Sequence, residues 1–371
     1  MALSSLFESI ARSVLYPFLR ALLGNQTVPV PLSSKALRRI LVLRYDRLGD
    51  MVVTTPIFDF LKKHCPNATI DVVASHRNAG LLAADSRIER VWHLDGTRKP
   101  LDVLRSAWTL SQSIPHEYDA VVCLVFHKTT LAGIIARWVG GRKAITITLG
   151  HSLRQEQYAA LFSVLAPLEA DGSCSMAELQ LKIVSHALGV PYTQEDMQYR
   201  IALGKKNRHY AERVFMPFQD RSVLLMNLSP GKAECRWTYE GYHHLCSMIT
   251  QEFPDIAILL SAMPDEAEWA EELHQLYPDT TLYLRATGDV LDFCAVVERV
   301  DYVVTPDTSV VHIAQAFAKP MLALYSGIYY CKEWAPIQDN VRVLVSPPDT
   351  PTSVLAPTDV IHTIRDLLSA S

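Results

Sequence analysis

From residue 39 onward, short apolar runs alternate with longer stretches whose apolar positions recur at helical spacing. Runs rich in β-branched residues predict strands, and strands that alternate with helices predict βαβ units and parallel sheets. In the first half, the pattern predicts strands near 40–44, 70–74, 90–94, 119–125 and 144–148. It also predicts a helix from Thr54 to His64, with Pro56 in its first turn.

The same alternation resumes in the second half of the chain. The stretch 149–180 is polar and mixed, a helix from about 176 to 188 ends at Gly189, and residues 204–207 are the best linker candidate. The pattern then predicts strands near 222–228, 256–260, 281–284, 301–304 and 321–325, and helices near 239–252, 265–276, 290–299 and 309–318. The chain is therefore expected to form two successive α/β halves of similar size.

The first 24 residues carry a different apolar pattern. Five apolar residues recur there at helical spacing, namely Leu3, Phe7, Ile10, Val14 and Phe18. They predict an amphipathic helix that either lies in a membrane interface or packs on its own protein, because both settings give the same periodicity. The segment lacks the basic start and cleavage site of a signal peptide. No apolar run reaches the roughly 18 residues of a membrane-spanning helix.

Composition limits the class of protein. A chain of 371 residues with 49% hydrophobic and 20% charged residues is typical of a globular protein large enough for two domains. The formal net charge of −4 gives no general basic field, so nucleic acid is not expected as the main partner. The seven scattered cysteines form no Cys-x-x-Cys pair, which argues against a disulfide framework or a structural zinc site and favours a reducing compartment.

The most informative motif spans residues 40–56, where an apolar strand leads into an Arg-Leu-Gly-Asp turn that opens a helix. Such a turn places Asp50 beside the free N–H groups of the helix start, at the carboxyl end of a strand where α/β proteins bind ligands. Asp50 is therefore the leading candidate for a catalytic carboxylate. Asp46 competes with it and ranks second, because Asp50 directly follows the glycine.

A second motif spans residues 301–312, where a buried strand ends in a Pro-Asp-Thr-Ser turn before an apolar helix. Asp307, Thr308 and Ser309 favour helix N-caps, and the N–H groups they surround can hold a phosphate. The alternative is an ordinary helix cap. His312, one turn into the helix, faces either a ligand or the core.

A third segment, residues 227–237, follows the first strand of the second half. It carries two cations, Lys232 and Arg236, in a loop with the small residues Ser229 and Gly231. Such a loop can approach a diphosphate closely while the cations offset its charge. The alternative is an ordinary solvated loop.

Together, these segments resemble the ADP-heptose lipopolysaccharide heptosyltransferases, glycosyltransferase family 9. Residues 47–56, Arg-Leu-Gly-Asp-Met-Val-Val-Thr-Thr-Pro, look like the opening motif of that family, and residues 306–316 look like its donor-site motif. The resemblance extends over roughly residues 39 to 340. It implies a GT-B fold, in which two Rossmann-like α/β domains face each other across a cleft and the second holds the donor sugar nucleotide.

The resemblance also implies the reaction. Family members transfer the sugar with inversion and without a metal ion onto a lipid-linked acceptor at the inner face of the bacterial cytoplasmic membrane. Asp50 matches the catalytic base, and Asp307, Thr308, Ser309 and His312 match the donor-binding segment. The usual phosphate-binding lysine falls on Cys235, so the phosphate contact passes to Arg236 or Lys232.

Two further sets of residues are expected to bind the substrates. Candidates for the nucleoside are Glu266, Thr287 and Gly288. Candidates for anionic groups of the acceptor are the cations Arg47, Arg44 and Lys128. No metal or cofactor is expected, since the sugar nucleotide, ADP-heptose by resemblance, is itself a substrate and no Asp-x-Asp pair is present to hold a metal on it.

The expected domains are an N-terminal helix and linker, an acceptor-side Rossmann-like domain, a donor-binding Rossmann-like domain, and a C-terminal segment packing back toward the N-terminal domain. They span residues 1–35, 36–205, 206–345 and 346–371, respectively. The expected location is peripheral on the inner face of the bacterial inner membrane, held by the N-terminal helix. Two alternatives keep the fold: a transferase with another sugar nucleotide or a polysaccharide acceptor, and a non-catalytic sugar-nucleotide-binding protein.

Overall fold

The computed structural model describes residues 15–94, 99–115, 117–151, 154–167, 174–218, 221–336 and 338–369. Its contacts divide the chain into two compact units, Met1–Gln198 and Tyr199–Ser371. The second unit thus begins at Tyr199, whereas the boundary predicted from the sequence is at residue 206.

The first unit is built on a parallel six-stranded sheet with the strand order β3-β2-β1-β4-β5-β6. Its strands are β1 (Arg39–Leu43), β2 (Thr69–Ala74), β3 (Arg90–His93), β4 (Ala120–Cys123), β5 (Ile145–Leu149) and β6 (Val164–Ala166). Its helices are α1 (described over residues 15–23), α2 (Leu48–His64), α3 (Pro100–Ser113), α4 (Thr129–Gly140), α5 (Gln155–Ala159) and α6 (Met176–Leu188).

The second unit is built on another parallel six-stranded sheet, with the order β12-β11-β10-β7-β8-β9. Its strands are β7 (Ser222–Asn227), β8 (Ile256–Ser261), β9 (Thr281–Leu284), β10 (Tyr302–Pro306), β11 (Met321–Tyr325) and β12 (Val341–Val345). Its helices are α7 (Lys205–Phe215), α8 (Tyr239–Glu252), α9 (Ala267–Leu276), α10 (Val290–Arg299), α11 (Ser309–Ala316) and α12 (Pro357–Ser369).

Each sheet has a topological switch point beside its first strand. In the first unit, β1 lies between β2 and β4, and in the second, β7 lies between β8 and β10. Chain connections leave the sheet in opposite directions at such a point, so a crevice opens at the carboxyl ends of the two strands. The loops after β1 and β4, and those after β7 and β10, are therefore where ligands are expected.

Helix α2 begins earlier than the sequence predicts. It starts at Leu48, so Pro56 lies in the interior of the helix, and the prediction that Pro56 is in the first turn is wrong. A proline there cannot donate to the carbonyl of Val52 four residues before it. The hydroxyl of Thr55 donates to that carbonyl instead, at 2.7 Å, and the helix continues through the proline.

The expected linker at 204–207 is also wrong, because α7 begins at Lys205. The amide of Asn207 is buried and donates to the carboxylates of Asp289 and Asp292, at 3.3 and 2.8 Å. These bonds attach the start of α7 to the start of α10. The polar residues that suggested a linker are thus tertiary contacts of a helix.

The described part of α1 packs on its own protein. Leu19 and Leu23 are buried in the core of the first unit, and the hydroxyl of Tyr16 lies 2.6 Å from that of Thr130 on α4. The outer side of α1 is exposed at Leu15, Phe18 and Leu22. Leu3, Phe7, Ile10 and Val14 lie outside the described residues. None of the helices in the described ranges has the length and hydropathy needed to cross a bilayer.

The C-terminal helix α12 belongs to the core of the second unit. Val360, Ile364 and Leu367 are buried in the same cluster as the apolar face of α8. Arg365 forms a two-bond ion pair with Glu252 of α8, both bonds measuring 2.7 Å. The expected packing of residues 346–371 toward the N-terminal domain stays a prediction.

Candidate functional site

Asp50 lies in the first turn of α2, as the sequence predicts. The backbone N–H of Arg47 donates to its Oδ2 at 3.1 Å, and its side chain is 13% exposed. A carboxylate at this position is favoured by the unpaired N–H groups of the helix start. Asp50 is therefore held in one orientation while it stays open to solvent on one side.

One buried arginine connects Asp50 to the competing carboxylate, Asp46. The guanidinium of Arg44, 1% exposed, donates to Asp50 Oδ1 at 3.1 Å and lies 3.3 Å from Asp46 Oδ2. Arg44 also donates to the carbonyl of Leu124, in the loop after β4. It thus bridges the switch point between β1 and β4. Arg44 is thus buried inside the unit, where its partners are two carboxylates and a backbone carbonyl of the protein itself.

Asp46 is less exposed than Asp50, with 5% of its side chain accessible. Its Oδ1 has no hydrogen-bond partner within the described ranges. Burial raises the pKa of Asp46, Arg44 lowers it and Asp50 raises it, and the net result is a pKa of about 7. Near neutral pH Asp46 is therefore about half protonated, and Asp50 is the more accessible of the two carboxylates.

We predict that Asp46→Asn stabilises the protein more at high pH than at low pH. The raised pKa means that the folded protein holds a proton that the unfolded chain releases between about pH 4 and pH 7, so stability falls as pH rises through that window. Urea unfolding at about pH 5 and about pH 8 measures the difference between variant and parent. An equal difference at both pH values would contradict it.

Sequence reasoning did not find Asn78, which is fully buried beside this site. Its amide donates to the carbonyls of Arg44 and Arg47, at 2.9 and 3.3 Å, and its Oδ1 accepts from the N–H of Ser75 at 2.8 Å. These bonds hold the loop that carries both carboxylates. A polar residue just after β2, at the carboxyl edge of the sheet, is the signal that points to it.

The other two acceptor candidates, Arg47 and Lys128, are both exposed. Lys128 lies at the start of α4 with φ of 55°, in the left-handed region. It lines a groove of about 480 Å³ together with Arg154, Phe126 and residues of α4. The ring of Phe126 lies 5.9 Å from the guanidinium carbon of Arg44, so this groove is close to the carboxylate pair.

The second unit brings Gly231 and Asp307 together at its own switch point. The N–H of Gly231 donates to the carbonyl of Asp307 at 2.9 Å, joining the loop after β7 to the loop after β10. Thr308 is the N-cap of α11, and its hydroxyl makes no capping bond. The half-buried Asp307, Thr308 and Ser309 thus surround the first N–H groups of α11.

His312 is buried one turn into α11. Its ring packs against two aromatic rings that sequence reasoning missed, Tyr199 at 6.3 Å and Trp334 at 6.0 Å between centroids. Tyr199 lies in an irregular segment more than one hundred residues before α11, and Trp334 lies in a short 3-10 helix after β11, so no local pattern indicates them. The packing fixes the orientation of the histidine at the helix start.

Three candidates form one polar cluster beside this helix start. Glu266, buried to 3% exposure, accepts from the hydroxyl of Ser229 at 2.7 Å and forms an ion pair with Arg236. The same hydroxyl accepts from the N–H of Met263 at 2.7 Å. The guanidinium of Arg236, 40% exposed, thus has one side on a buried carboxylate and another open to solvent.

Lys232 and Cys235 occupy different environments in the same loop. The ammonium of Lys232 lies 3.4 Å from the ring centroid of Tyr329, a cation–π contact. The Cys235 thiol is buried and lies 3.9 Å from Asp307 Oδ2. Burial and the nearby carboxylate raise the pKa of Cys235 to about 11, so it is neutral and cannot replace a lysine on phosphate.

The remaining nucleoside candidates, Thr287 and Gly288, lie between β9 and α10. The Thr287 hydroxyl donates to the carbonyl of Asp289 at 2.8 Å, and Gly288 is exposed. Within the described residues, no hydrogen bond or ion pair joins either of them to Ser229, Arg236 or Glu266. In the described ranges, no three or more His, Cys, Asp or Glu residues are grouped to hold a metal ion.

We predict that Gly231→Ala weakens the nucleotide binding expected from the sequence by at least about tenfold, equivalent to ~1.4 kcal/mol. A Cβ at 231 would lie 2.8 Å from the carbonyl oxygen of Asp307 and 3.6 Å from Cα of Thr308. The two loops must therefore separate, which displaces the start of α11. Calorimetric titration with ADP measures the effect, and the melting temperature of the free variant controls for folding. Unchanged affinity would contradict a ligand at this junction.

Comparison with known proteins gives a family match. The family model "Glycosyltransferase family 9 (heptosyltransferase)" matches residues 108–357. Lipopolysaccharide core heptosyltransferase OpsX of Haemophilus influenzae is 22% identical over 306 residues, covering 80% of this chain and 81% of that protein. Lipopolysaccharide heptosyltransferase 3 of Escherichia coli is 21% identical over 301 residues, covering 79% and 83%.

Solved structures share the fold. A family 9 glycosyl transferase from Veillonella parvula matches with a TM-score of 0.75 at 17% identity, over 92% of this chain and 100% of that one. E. coli heptosyltransferase WaaC with ADP-2-deoxy-2-fluoro heptose matches with a TM-score of 0.69 at 17% identity, over 88% and 99%. With the two parallel sheets, these matches confirm the predicted fold class, two Rossmann-like domains of the GT-B type.

Proposed function

Since the chain belongs to glycosyltransferase family 9, the heptosyltransferases, we propose that it transfers heptose from ADP-heptose to a lipopolysaccharide core acceptor, lipid A-Kdo or heptose, with inversion and without a metal. Family membership makes the chain a glycosyltransferase. The main observation behind our proposal is that each switch point presents polar groups suited to one half of the reaction. In the first unit, Asp50 is paired with the buried Arg44, and in the second, the first N–H groups of α11 have no side-chain cap from Thr308.

Asp50 is the proposed general base. In an inverting transfer, the acceptor hydroxyl oxygen attacks the anomeric carbon, its proton passes to the carboxylate, and the bond to the diphosphate breaks with both electrons going to ADP. Asp50 has the required accessibility, and its Arg47 and Arg44 contacts fix its orientation. Asp46, buried deeper on the same arginine, is proposed to position Asp50 through Arg44.

The second unit is proposed to stabilise the leaving diphosphate. Negative charge on the departing phosphate is favoured at the N-terminus of α11, where N–H groups and the helix dipole act together. Lys232, on a neighbouring loop, supplies the cation, and the charge of Arg236 is largely offset by Glu266. Asp307, Ser309 and the fixed His312 are proposed to contact the donor.

Further polar residues near the two switch points are proposed to recognise the nucleoside and the acceptor. Glu266 is proposed to hold Arg236 and Ser229 in place for the nucleotide, with Thr287 and Gly288 near the base. Arg47 and Lys128 are proposed to contact acidic groups of the acceptor, because both are exposed near Asp50. A lipid-linked acceptor places the enzyme peripherally on the inner face of the bacterial inner membrane.

Thermal shift with nucleotides tests the donor. At one hundred times its dissociation constant, a ligand adds about 2.7 kcal/mol to the free energy of unfolding. We expect ADP and ADP-heptose to raise the melting temperature, and Thr308→Val at the cap of α11 to reduce that shift. If neither nucleotide shifts the melting temperature while a different sugar nucleotide does, the donor assignment is wrong.

Cys235 favours one second candidate function, transfer from another sugar nucleotide or to a polysaccharide acceptor. By resemblance, family members carry a phosphate-binding lysine at the position of Cys235, whose thiol is neutral. If the donor is ADP-heptose, Cys235→Lys should bind it as well as or better than the parent. A shift to weaker ADP binding with tighter binding of another nucleotide would favour the second candidate.

A further inference from the structure

Two helices of the first unit, α1 and α3, expose large apolar residues on their outer sides. On α1 these are Leu15, Phe18 and Leu22, which are 44%, 60% and 55% exposed. On α3 they are Leu101 and Trp108, which are 70% and 56% exposed. The spacings of three, four and seven residues put each set on a single side of its helix. We call these five residues, together with helix α4, which contacts both α1 and α3, the α1–α3–α4 face.

Helix α4 connects the two stripes. The Tyr16 hydroxyl on α1 lies 2.6 Å from that of Thr130 on α4, and the carbonyl of Leu23 accepts from Arg137 seven residues further along α4. On α3, the Trp108 ring packs edge-on against Trp138 of α4, with centroids 5.7 Å apart. The exposed residues of α1 and α3 therefore belong to one layer of helices on the first sheet.

Most of the charged residues around this face are cations. Within residues 15–24, 99–113 and 128–143, the exposed cations are Arg20, Lys99, Arg105, Lys128, Arg142 and Lys143, and the sequence has a single acid, Asp102. The whole chain has a net charge of −4, so this excess is local. Arg105 lies between Leu101 and Trp108 on the same side of α3. Apolar side chains with interspersed cations are the composition that binds anionic lipid headgroups.

We propose that the α1–α3–α4 face docks on the surface of an anionic phospholipid bilayer. The proposal refines the membrane part of the proposed function, on which it rests, by placing the contact on three helices rather than on the N-terminal helix alone. Tryptophan side chains suit the boundary between headgroups and acyl chains, because the ring is apolar and the N–H is polar.

The groove lined by Lys128 and Arg154 supports a lipid occupant over a protein one. It opens at the start of α4, where Leu131, Ile134 and Pro100 continue the apolar lining. Phe126 lines this groove, and its ring centroid lies 5.9 Å from the guanidinium carbon of Arg44, which contacts both carboxylates. A bilayer on the α1–α3–α4 face would thus present the anionic head of a lipid-linked saccharide to cations beside Asp50.

Vesicle co-sedimentation of the full chain tests the proposal. We expect binding to vesicles of phosphatidylcholine with phosphatidylglycerol, weaker binding to phosphatidylcholine alone, and weakening by salt. Leu101→Ser with Trp108→Ser should lower the affinity for the mixed vesicles at least about tenfold. The matched control is Met216→Ser with Leu276→Ser, which removes two apolar residues of similar exposure from the second unit and should bind like the parent.

The double variant Arg105→Glu with Lys143→Glu tests the contribution of charge separately. It should lose binding to the mixed vesicles, and its binding to vesicles of phosphatidylcholine alone should equal that of the parent. Melting temperatures check that each variant folds. The proposal is overturned if the parent does not bind mixed vesicles, if the Leu101 and Trp108 variant binds as the parent does, or if that variant instead abolishes a concentration-dependent dimer.

Nucleotide binding separates this proposal from the proposed function. The Leu101 and Trp108 variant should keep the thermal shift with ADP and the transfer to a water-soluble acceptor fragment. Vesicle binding by a protein that shows no ADP shift would refute the donor assignment and leave the lipid-docking face standing. An ADP shift without vesicle binding would refute the docking face alone.

Discussion

Asp50→Asn should lower the rate of heptose transfer by about 10²–10⁴-fold, the range for loss of a general base. Asparagine has nearly the same shape and can still accept the hydrogen bond from the Arg47 N–H, so the start of α2 should be preserved. The variant should bind ADP like the parent, because the donor is assigned to the second unit. Initial rates with ADP-heptose and a deacylated acceptor, beside a calorimetric titration with ADP, measure the two effects.

Asp46→Asn is the matched control, since it removes the other carboxylate on the same arginine. It should retain far more activity than Asp50→Asn, because Asp46 is buried deeper and is assigned a positioning role. Its pH profile should lose a step near neutral pH, which a purely structural change would not produce. If Asp46→Asn is the inactive variant and Asp50→Asn the active one, the roles must be exchanged.

The largest effect on stability is expected for Arg44→Met. Removing one partner from a buried ion pair costs about 3–5 kcal/mol, because the remaining charge is left uncompensated. Here Asp46 and Asp50 would both lose their cation, and the carbonyl of Leu124 would lose a donor. Urea unfolding at neutral pH measures the loss. Part of it should be recovered at lower pH, where Asp46 is protonated.

Arg208→Met is the control for this prediction. Arg208 pairs with Glu298 through two bonds of 2.8 and 3.1 Å, but its side chain is 55% exposed. Exposed pairs contribute about 0–1 kcal/mol, so the control should lose little stability. Similar losses in the two variants would mean that burial of the Arg44 network is not what stabilises the loop.

The sequence predicts those parts of the fold that follow from local patterns. The long apolar runs of β1, β7 and β10 and the turns after them are found as predicted, because a strand buried on both faces leaves a strong signal. The helix end at Gly189 is also confirmed, with φ of 65° at a position that favours glycine. Strand β6, with three residues, is too short to give such a signal.

Features that depend on tertiary contacts are the ones the sequence misses. Pro56 inside α2 is tolerated because of one Thr55 hydroxyl, and residues 204–207 begin a helix because Asn207 has partners more than eighty residues away. Arg44 looked like a free cation for the acceptor, yet it is buried on two carboxylates. Its role follows from strand order, which brings the loops after β1 and β4 together.

The product of a single transfer tests the central claim most directly. ADP-heptose is incubated with the full chain and a deacylated lipid A-Kdo or heptosylated acceptor, and the anomeric configuration of the new glycosidic bond is determined by NMR. The account predicts equimolar release of ADP and a configuration opposite to that of the donor. Retention of configuration, or a saccharide product formed without release of ADP, would contradict it.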